Sequence, residues 1–400
     1  MRPVNISAAG AEKYYYEKDP ILNPDGKNEN TFFYGKGAEA LGLEQNAKIG
    51  KEQFEKLCQG KHPRTGEQLI QSAIDPQAKT HHRAATDIPF STPKSFSVAA
   101  LTYGKKDIID IHNSAVKETM DRMEKEYSFA RDSQGKPVYT GNSVFVGATH
   151  ATSRANDPQI HTHVLTMNMT KRPDGKFVAT HNDAIFRDQK YITSIYRSIL
   201  SEKMLAAGYQ LDSKGELIGI EKNLLENFSK RRVEIAKTEK ELLKKGEIKS
   251  DGLRNKKATL ESRPEKDSKI TAEQLKEKWD AEIMKLEYTK EGLVKSFGEA
   301  QEKARVEKET QAPGEKLTAQ DYVRFAVKDA ILKKSVFTKT EILREAAKLS
   351  YKDGIGMDRL EKAFDALNAE KEIVTLRDHK SVQHKGVYST SVLSLTDLYI

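Results

Sequence analysis

The stretch NSVFVGATHATSRANDPQIHTHVLTMNM, residues 142–169, reads as two β-strands joined by a short polar loop. Val144, Val146 and Ala148 lead on one face to His150, and the loop from Ser153 to Pro158 is rich in turn formers. In a strand, residues two apart share a face with their Cα atoms about 6.5–7 Å apart, so His161 and His163 point to the same side. An antiparallel return brings His150 alongside them. Three neutral imidazoles can hold a divalent cation and leave coordination positions open, as a Lewis-acid site requires. Read singly, each would be a surface or core histidine. Three of the ten histidines within fourteen residues, two on one strand face, read as a metal site. The paired His81 and His82 and the isolated His62, His112, His181, His379 and His384 read as ordinary side chains.

Working outward, DIPFSTPKSFSVAALT from Asp87 reads as a strand running into a buried edge, while 107–127 and 189–207 carry helical periodicity. Strands linked by short polar loops and separated by helices predict an α+β domain on an antiparallel sheet. The first part, 1–220, carries 29 basic and 26 acidic side chains and holds most of the aromatic and β-branched residues. The second, 221–312, is far more charged, with 23 basic and 20 acidic residues in 221–310, and reads as long solvated helices. Its positive charge leans forward, to Lys230, Arg231, Arg232, Arg254, Lys256 and Lys257. After Pro313 and Gly314, residues 315–400 read as helices at 320–334, 339–349 and 357–369, then strands at 373–377 and 386–390. That order suggests a small winged-helix-like module.

The 400 residues are 37% hydrophobic and 32% charged, polar for a globular chain, yet 14 Phe and 15 Tyr allow a sizeable core. A net charge of +8 permits a nucleic-acid partner without demanding one. The single cysteine, Cys58, excludes an intramolecular disulfide framework and a Cys-rich zinc module. No apolar run approaches ~18 residues and no signal-like apolar segment opens the chain, so the expectation is an intracellular protein without membrane insertion. Tyr14, Tyr15 and Tyr16 form a further feature, since a phenol assisted by a base or cation can attack phosphorus. An aromatic packing patch is the competing reading. On a helix, neighbours diverge by about 100°, so at most one of the three would face a given ion.

Several blocks together resemble the conjugative relaxases of the TrwC/TraI (MobF) type. They are AGAEKYYYEKD, YGKGAEALGL, RTGEQLI, HHRAATDIPFSTPKSFSVAAL and VGATHATSRANDPQIHTHVLTMNMT, followed by FSKRR from Phe228 and by ATLESRPEKD. They occur in family order over residues 1 to about 300, and the tail from 315 resembles the segment that leads into the helicase region of long members. No GxxxxGK[ST] loop is present, so no helicase activity is expected from these residues.

The resemblance implies a HUH-endonuclease-like antiparallel sheet with flanking helices, a charged helical extension that clamps DNA, and the winged-helix-like module. It implies a strand-specific nick at a plasmid transfer origin by tyrosine transesterification, with a 5′-phosphotyrosine intermediate. The cofactor would be one divalent ion (Mg, Mn or Zn) held by His150, His161 and His163. The partners would be single-stranded or hairpin DNA, relaxosome accessory proteins and a type IV secretion coupling protein. The place would be the bacterial cytoplasm, with export to recipient cells. Tyr14 falls on the leading tyrosine of the family, Tyr15 on the second, and Asp87 on its aspartate, to accept the tyrosine proton or to orient an imidazole. Arg154 would hold a DNA phosphate or lock its loop. Lys94, Lys171, Arg172 and Lys176 would touch the backbone, as would Lys230, Arg231, Arg232 and Lys256 in the extension. One departure is the segment PILNPDG (20–26), where family members often carry a second tyrosine pair. Tyr34 stands where the family commonly has Trp. The nearest alternatives are a rolling-circle replication initiator nickase and a non-cleaving DNA-binding accessory protein.

Overall fold

The computed structural model describes residues 3–8, 19, 21–22, 30–70, 83–245, 251–262, 270–310, 316–377 and 387–390. Its twelve strands are β1 (Val4–Ser7), β2 (Thr31–Tyr34), β3 (Arg83–Ser91), β4 (Phe129–Arg131), β5 (Pro137–Tyr139), β6 (Phe145–Thr152), β7 (Pro158–Met167), β8 (Thr170–Lys171), β9 (Phe177–Val178), β10 (Phe337–Thr338), β11 (Ile373–Arg377) and β12 (Val387–Thr390). The main sheet has the order β1-β3-β7-β6-β2, and every neighbouring pair is antiparallel. The expected α+β architecture is therefore present, with the histidine strands β6 and β7 at its centre.

One face of the sheet presents Ile88, Phe90, Phe145, Ile160 and Val164 to three helices, α1 (Lys94–Thr102), α2 (Asp107–Tyr127) and α3 (Gln189–Ala206). The opposite face packs Phe33, Val146, Ala148, Leu165 and Met167 against Leu41, Phe54, Leu57 and the buried Cys58. The segment from Asp87 departs from its sequence reading. It splits into an interior strand ending at Ser91 and the helix α1, in which Phe96, Val98 and Ala99 are all buried. Thr92-Pro93 ends the strand, and a helix buried all round carries no polar stripe to betray its period.

The charged region forms α4 (Lys230–Lys244), α5 (Asp251–Glu261), α6 (Ala272–Lys285) and α7 (Lys290–Thr310), preceded by a short helix at Lys222–Asn227. These helices are shorter than the periodicity suggests and not wholly solvated. Leu224, Phe228, Leu275, Trp279, Ile283, Leu293 and Phe297 enter the same core as α1–α3. Beyond them come α8 (Ala319–Ile331), α9 (Lys339–Leu349) and α10 (Met357–Ala369), with the three-stranded sheet β10-β12-β11. Helix, short strand, two helices and two strands is the winged-helix order. This module docks on α3: Ser198 Oγ donates to Ile355 O at 3.0 Å, and Tyr191 Oη donates to Glu361 at 2.6 Å. A side chain at Gly354, whose φ is +59°, would meet Leu205 Cδ1 at 2.6 Å, so only glycine allows the approach.

A buried polar chain ties the helices to the sheet. His112 Nδ1 lies 2.8 Å from Tyr196 Oη and its Nε2 lies 2.8 Å from Thr162 Oγ1, which in turn lies 2.9 Å from Thr149 Oγ1. Burial pushes the His112 imidazole down to about 3, so it folds in neutral. The unfolded chain binds a proton below about 6.5 that the native state refuses, and this contribution to stability falls as pH drops from 6.5 toward 3. His112→Phe should leave the Tyr196 hydroxyl and Thr162 without their buried partner and cost about 2–4 kcal/mol in urea denaturation at pH 7.5. The deficit should narrow as pH is lowered to 5.

Candidate metal centre

The β6–β7 register sets His150 directly opposite His161 and Ala148 opposite His163, while Ser91 and Pro89 of β3 pair with His161 and His163. All of these side chains share one face of the sheet. The imidazole centres lie 5.4 Å (150–161), 5.7 Å (150–163) and 5.2 Å (161–163) apart. His150 and His163 are buried, and His161 is half-buried.

His161 and His163 have a hydrogen-bonded oxygen at Nδ1, and His150 has a carboxylate nearby. His163 Nδ1 lies 2.9 and 3.0 Å from the two carboxylate oxygens of Asp87, which is buried in mid-strand. His161 Nδ1 lies 2.9 Å from Gln159 O. Asp19 Oδ2 stands 3.9 Å from His150 Nδ1. Protons on Nδ1 leave the Nε2 lone pairs to serve as donors, an arrangement typical of metal-binding histidines. Imidazoles bound through Nε2 at about 2.0–2.1 Å in a tetrahedral shell would have ring centres roughly 5 Å apart. The observed spacings are close to this and the donor set suits a borderline divalent ion, although among the described residues no group of three such side chains is placed to hold an ion.

Asp19 was not singled out by the sequence. It is only 2% exposed, accepts from Ala151 N at 2.8 Å, and turns its own chain by accepting from Ile21 N and Leu22 N. Its signal is faint: an acid before proline, three residues after the tyrosine run.

The loop between the histidine strands is held from three sides. Its own turn uses Ser153 Oγ, which accepts from Ala155 N and Asp157 N, and Asn156 takes a left-handed φ of 60°. Lys94 Nζ donates to Pro158 O at 2.9 Å, and Lys230 donates its backbone N–H and its ammonium to Asp157 at 3.0 and 3.2 Å. Trp279 Nε1 and Lys278 Nζ of α6 donate to Asn156 O and Ala155 O. Burial pulls the Lys94 ammonium down to about 8, against the pull of Asp157 and Glu216. Burial also opposes the charge on Lys230, but Glu282 and Asp157 outweigh it and hold that ammonium above its usual range.

The other expected contacts divide. Arg154 sits half-buried in this loop. Arg231 and Arg232 line, with Lys94, Ser91 and Gln159, a cavity of about 820 Å³ between the histidine strands and the α4–α5 pair. Arg231 also joins that pair, donating to Thr259 O at 2.6 Å and to Ser262. Arg254 is buried 3.9 Å from Glu239, and Lys257 lies 3.5 Å from Glu261. Lys171, Arg172 and Lys176 are not brought to the site. They lie past the far end of β7, where Met167 is already six residues, about 20 Å, from His161. The Lys256 side chain, Tyr14, Tyr15, Tyr16, His81, His82, His379 and His384 fall outside the described residues.

The TrwC relaxase family model matches residues 5–286. The chain belongs to the TrwC relaxase family. The multifunctional conjugation protein TraI of Escherichia coli is 28% identical over 415 residues, covering 98% of this chain and 22% of TraI. The chain thus spans about a fifth of the curated relatives' length. Among solved structures, a copper-bound conjugative relaxase TrwC in complex with oriT DNA is 31% identical with a TM-score of 0.63. TrwC complexed with a 27-mer DNA comprising the recognition hairpin and the cleavage site is 30% identical with a TM-score of 0.60. Each alignment covers 72% of this chain and 99% of the TrwC chain.

If the two carboxylates orient their imidazoles in this TrwC-family chain, Asp87→Asn and Asp19→Asn should each weaken Mn²⁺ or Zn²⁺ binding by about 10–100-fold in titration calorimetry. Circular dichroism should be unchanged.

Proposed function

We infer that this chain nicks one DNA strand at a plasmid transfer origin and holds the cut end on a tyrosine. The observation that carries this reading is the cluster of His150, His161 and His163, with Asp87 and Asp19 behind it, in a chain matched by the TrwC relaxase model. Relatives named as TrwC–oriT complexes, with and without metal, support the DNA substrate and a single divalent ion.

In the proposed reaction the phenol oxygen bonds to phosphorus, the bond to the 3′ oxygen breaks, and the leaving strand ends in a free 3′-OH. One ion on the three imidazoles would polarise the phosphate oxygens and offset the charge that builds in the transition state. Both Asp87 oxygens face His163 Nδ1, which favours the orienting role of this carboxylate over proton acceptance. Asp19 tethers its segment beside His150, and only four residues separate it from Tyr14. Tyr14 is assigned as nucleophile by its place in AEKYYYEKD, with Tyr15 available for a second transfer.

In this reading residues 1–220 perform the chemistry, 221–312 close over DNA and 315–400 lead toward a helicase region. Arg154, Arg231, Arg232 and Lys256 hold the backbone near the histidines, and Lys94 and Lys230 act through the loop. Relaxosome accessory proteins, a type IV coupling protein, a cytoplasmic location and export to the recipient cell complete the proposal. No described helix is long and apolar enough to cross a membrane.

Two measurements test it. Wild-type protein incubated with oriT oligonucleotides should give a covalent adduct on a denaturing gel, and mass spectrometry should place it on Tyr14. Tyr14→Phe should lose the adduct by several orders of magnitude with unchanged DNA affinity, whereas an adduct on Tyr15 or Tyr16 would reassign the nucleophile. Chelation, or His161→Ala with His163→Ala, should abolish nicking and leave DNA binding largely intact. Undiminished cleavage would overturn the metal assignment.

A further inference from the structure

A second cavity, about 540 Å³, opens beside the first and shares Ser91 with it. Four parts of the chain build it: Pro89 and Ser91 at the end of β3, Thr193 and Arg197 of α3, Ser213 and Lys214 of the 211–217 turn, and Lys348 and Tyr351 of the winged-helix-like module. Its lining holds three basic side chains and four hydroxyl side chains but no acid.

Of the acids nearby, Asp212 and Glu216 are engaged elsewhere, while Glu345 pairs with Lys348 of the lining. Asp212 Oδ1 accepts from Lys214 N and Glu216 N and so holds its own turn. Glu216 accepts from Ser95 N at 3.1 Å and from its hydroxyl. Glu345 takes both Arg344 and Lys348, each at 3.0 Å. Arg197 lies over the Tyr351 ring, 5.4 Å from its centre, and its guanidinium donates to Lys214 O at 3.3 Å. Gly215, at φ +72°, lets the turn come this close, since a Cβ there would stand 3.1 Å from Tyr351 Cδ2. The cavity is thus a fixed cationic pocket, open to solvent at Lys214 and Lys348.

We propose that this pocket holds backbone phosphates of single-stranded DNA as the strand leaves the histidine cluster by way of Ser91. The proposal rests on the nicking reading and extends it. Ser91 pairs with His161, so the pocket begins one strand position from the metal site. Lys348 and Tyr351 lie beyond the family match, which ends at residue 286, so the module supplies one of the three basic side chains and the aromatic ring. A phosphodiester chain fits this chemistry: cations for its charge and hydroxyls as hydrogen-bond donors, with nothing that reads a base.

The test uses the full chain and fluorescence anisotropy. The probes are a core oriT strand and the same strand lengthened by about eight nucleotides on either side in turn. The variant pairs Lys214→Gln with Lys348→Gln, both exposed, and Lys214→Arg with Lys348→Arg serves as the charge-keeping control. The Gln pair should bind one lengthened strand about tenfold more weakly, with its log-salt slope reduced by about 1.4, two contacts at roughly 0.7 each. Binding of the core strand should not change, and the Arg pair should behave as wild type. Equal losses on all strands, or no loss on either lengthened strand, would overturn the proposal. Adduct formation on the core strand is read separately: wild type without adduct defeats the nicking reading, whereas a normal adduct with no length effect defeats the pocket alone.

Discussion

The antiparallel pairing of β6 with β7 is the constraint on which the rest depends. It sets His150 opposite His161 and leaves His163 one step further along the same face. A slip of one residue would turn the imidazoles into the apolar core and bring Thr149 and Thr162 to the surface they now occupy. Both faces of the sheet resist that slip. Phe90, Ile160 and Val164 are fixed against helices on one side, and Leu165 and Met167 are buried on the other. The polar chain through His112 adds a directional lock, because Thr149 and Thr162 meet it only in this register.

The loop that joins these two strands is where the charged helices attach. Part of their positive charge is structural. Lys230 is paired with Asp157 and Glu282, and Arg231, while lining the cavity, also donates to carbonyls that bind α4 to α5. An ion pair with one buried partner is weak evidence for added stability, but removing Lys230 would leave the buried Asp157 without its cation. The site's outer wall and its floor are therefore mechanically joined, through α4 and α6, to the short stretch of chain carrying Arg154.

Much of this was legible in the sequence. The two histidine strands declared themselves through alternation and turn residues and α2 through its helical period, and the order of three helices and two strands in the tail gave the winged-helix-like module. Three things were hidden for physical reasons. Thr92-Pro93 begins a helix buried all round, so no period marks α1. Asp19 is distant in sequence from the histidine it faces, and an acid before proline carries no ligand signature. The split of lysines and arginines between loop braces and cavity lining depends on which acids the fold brings near, as with Asp157 and Lys230. Lys94 shows the same limit, since a cation between two strand-end motifs looks like a DNA contact until its carbonyl partner is known.

The hydrogen bond from the indole of Trp279 to Asn156 O has a use of a different kind. This is the only tryptophan in the 400 residues, and it is 1% exposed. Its emission comes from one site, an apolar one, with a single polar contact to the hairpin that carries the histidines. Intrinsic fluorescence of this protein is thus an unlabelled optical readout of the seam between the helical extension and that hairpin. A shift of the band toward longer wavelengths would signal water reaching the seam, while the winged-helix-like module contributes no tryptophan light of its own.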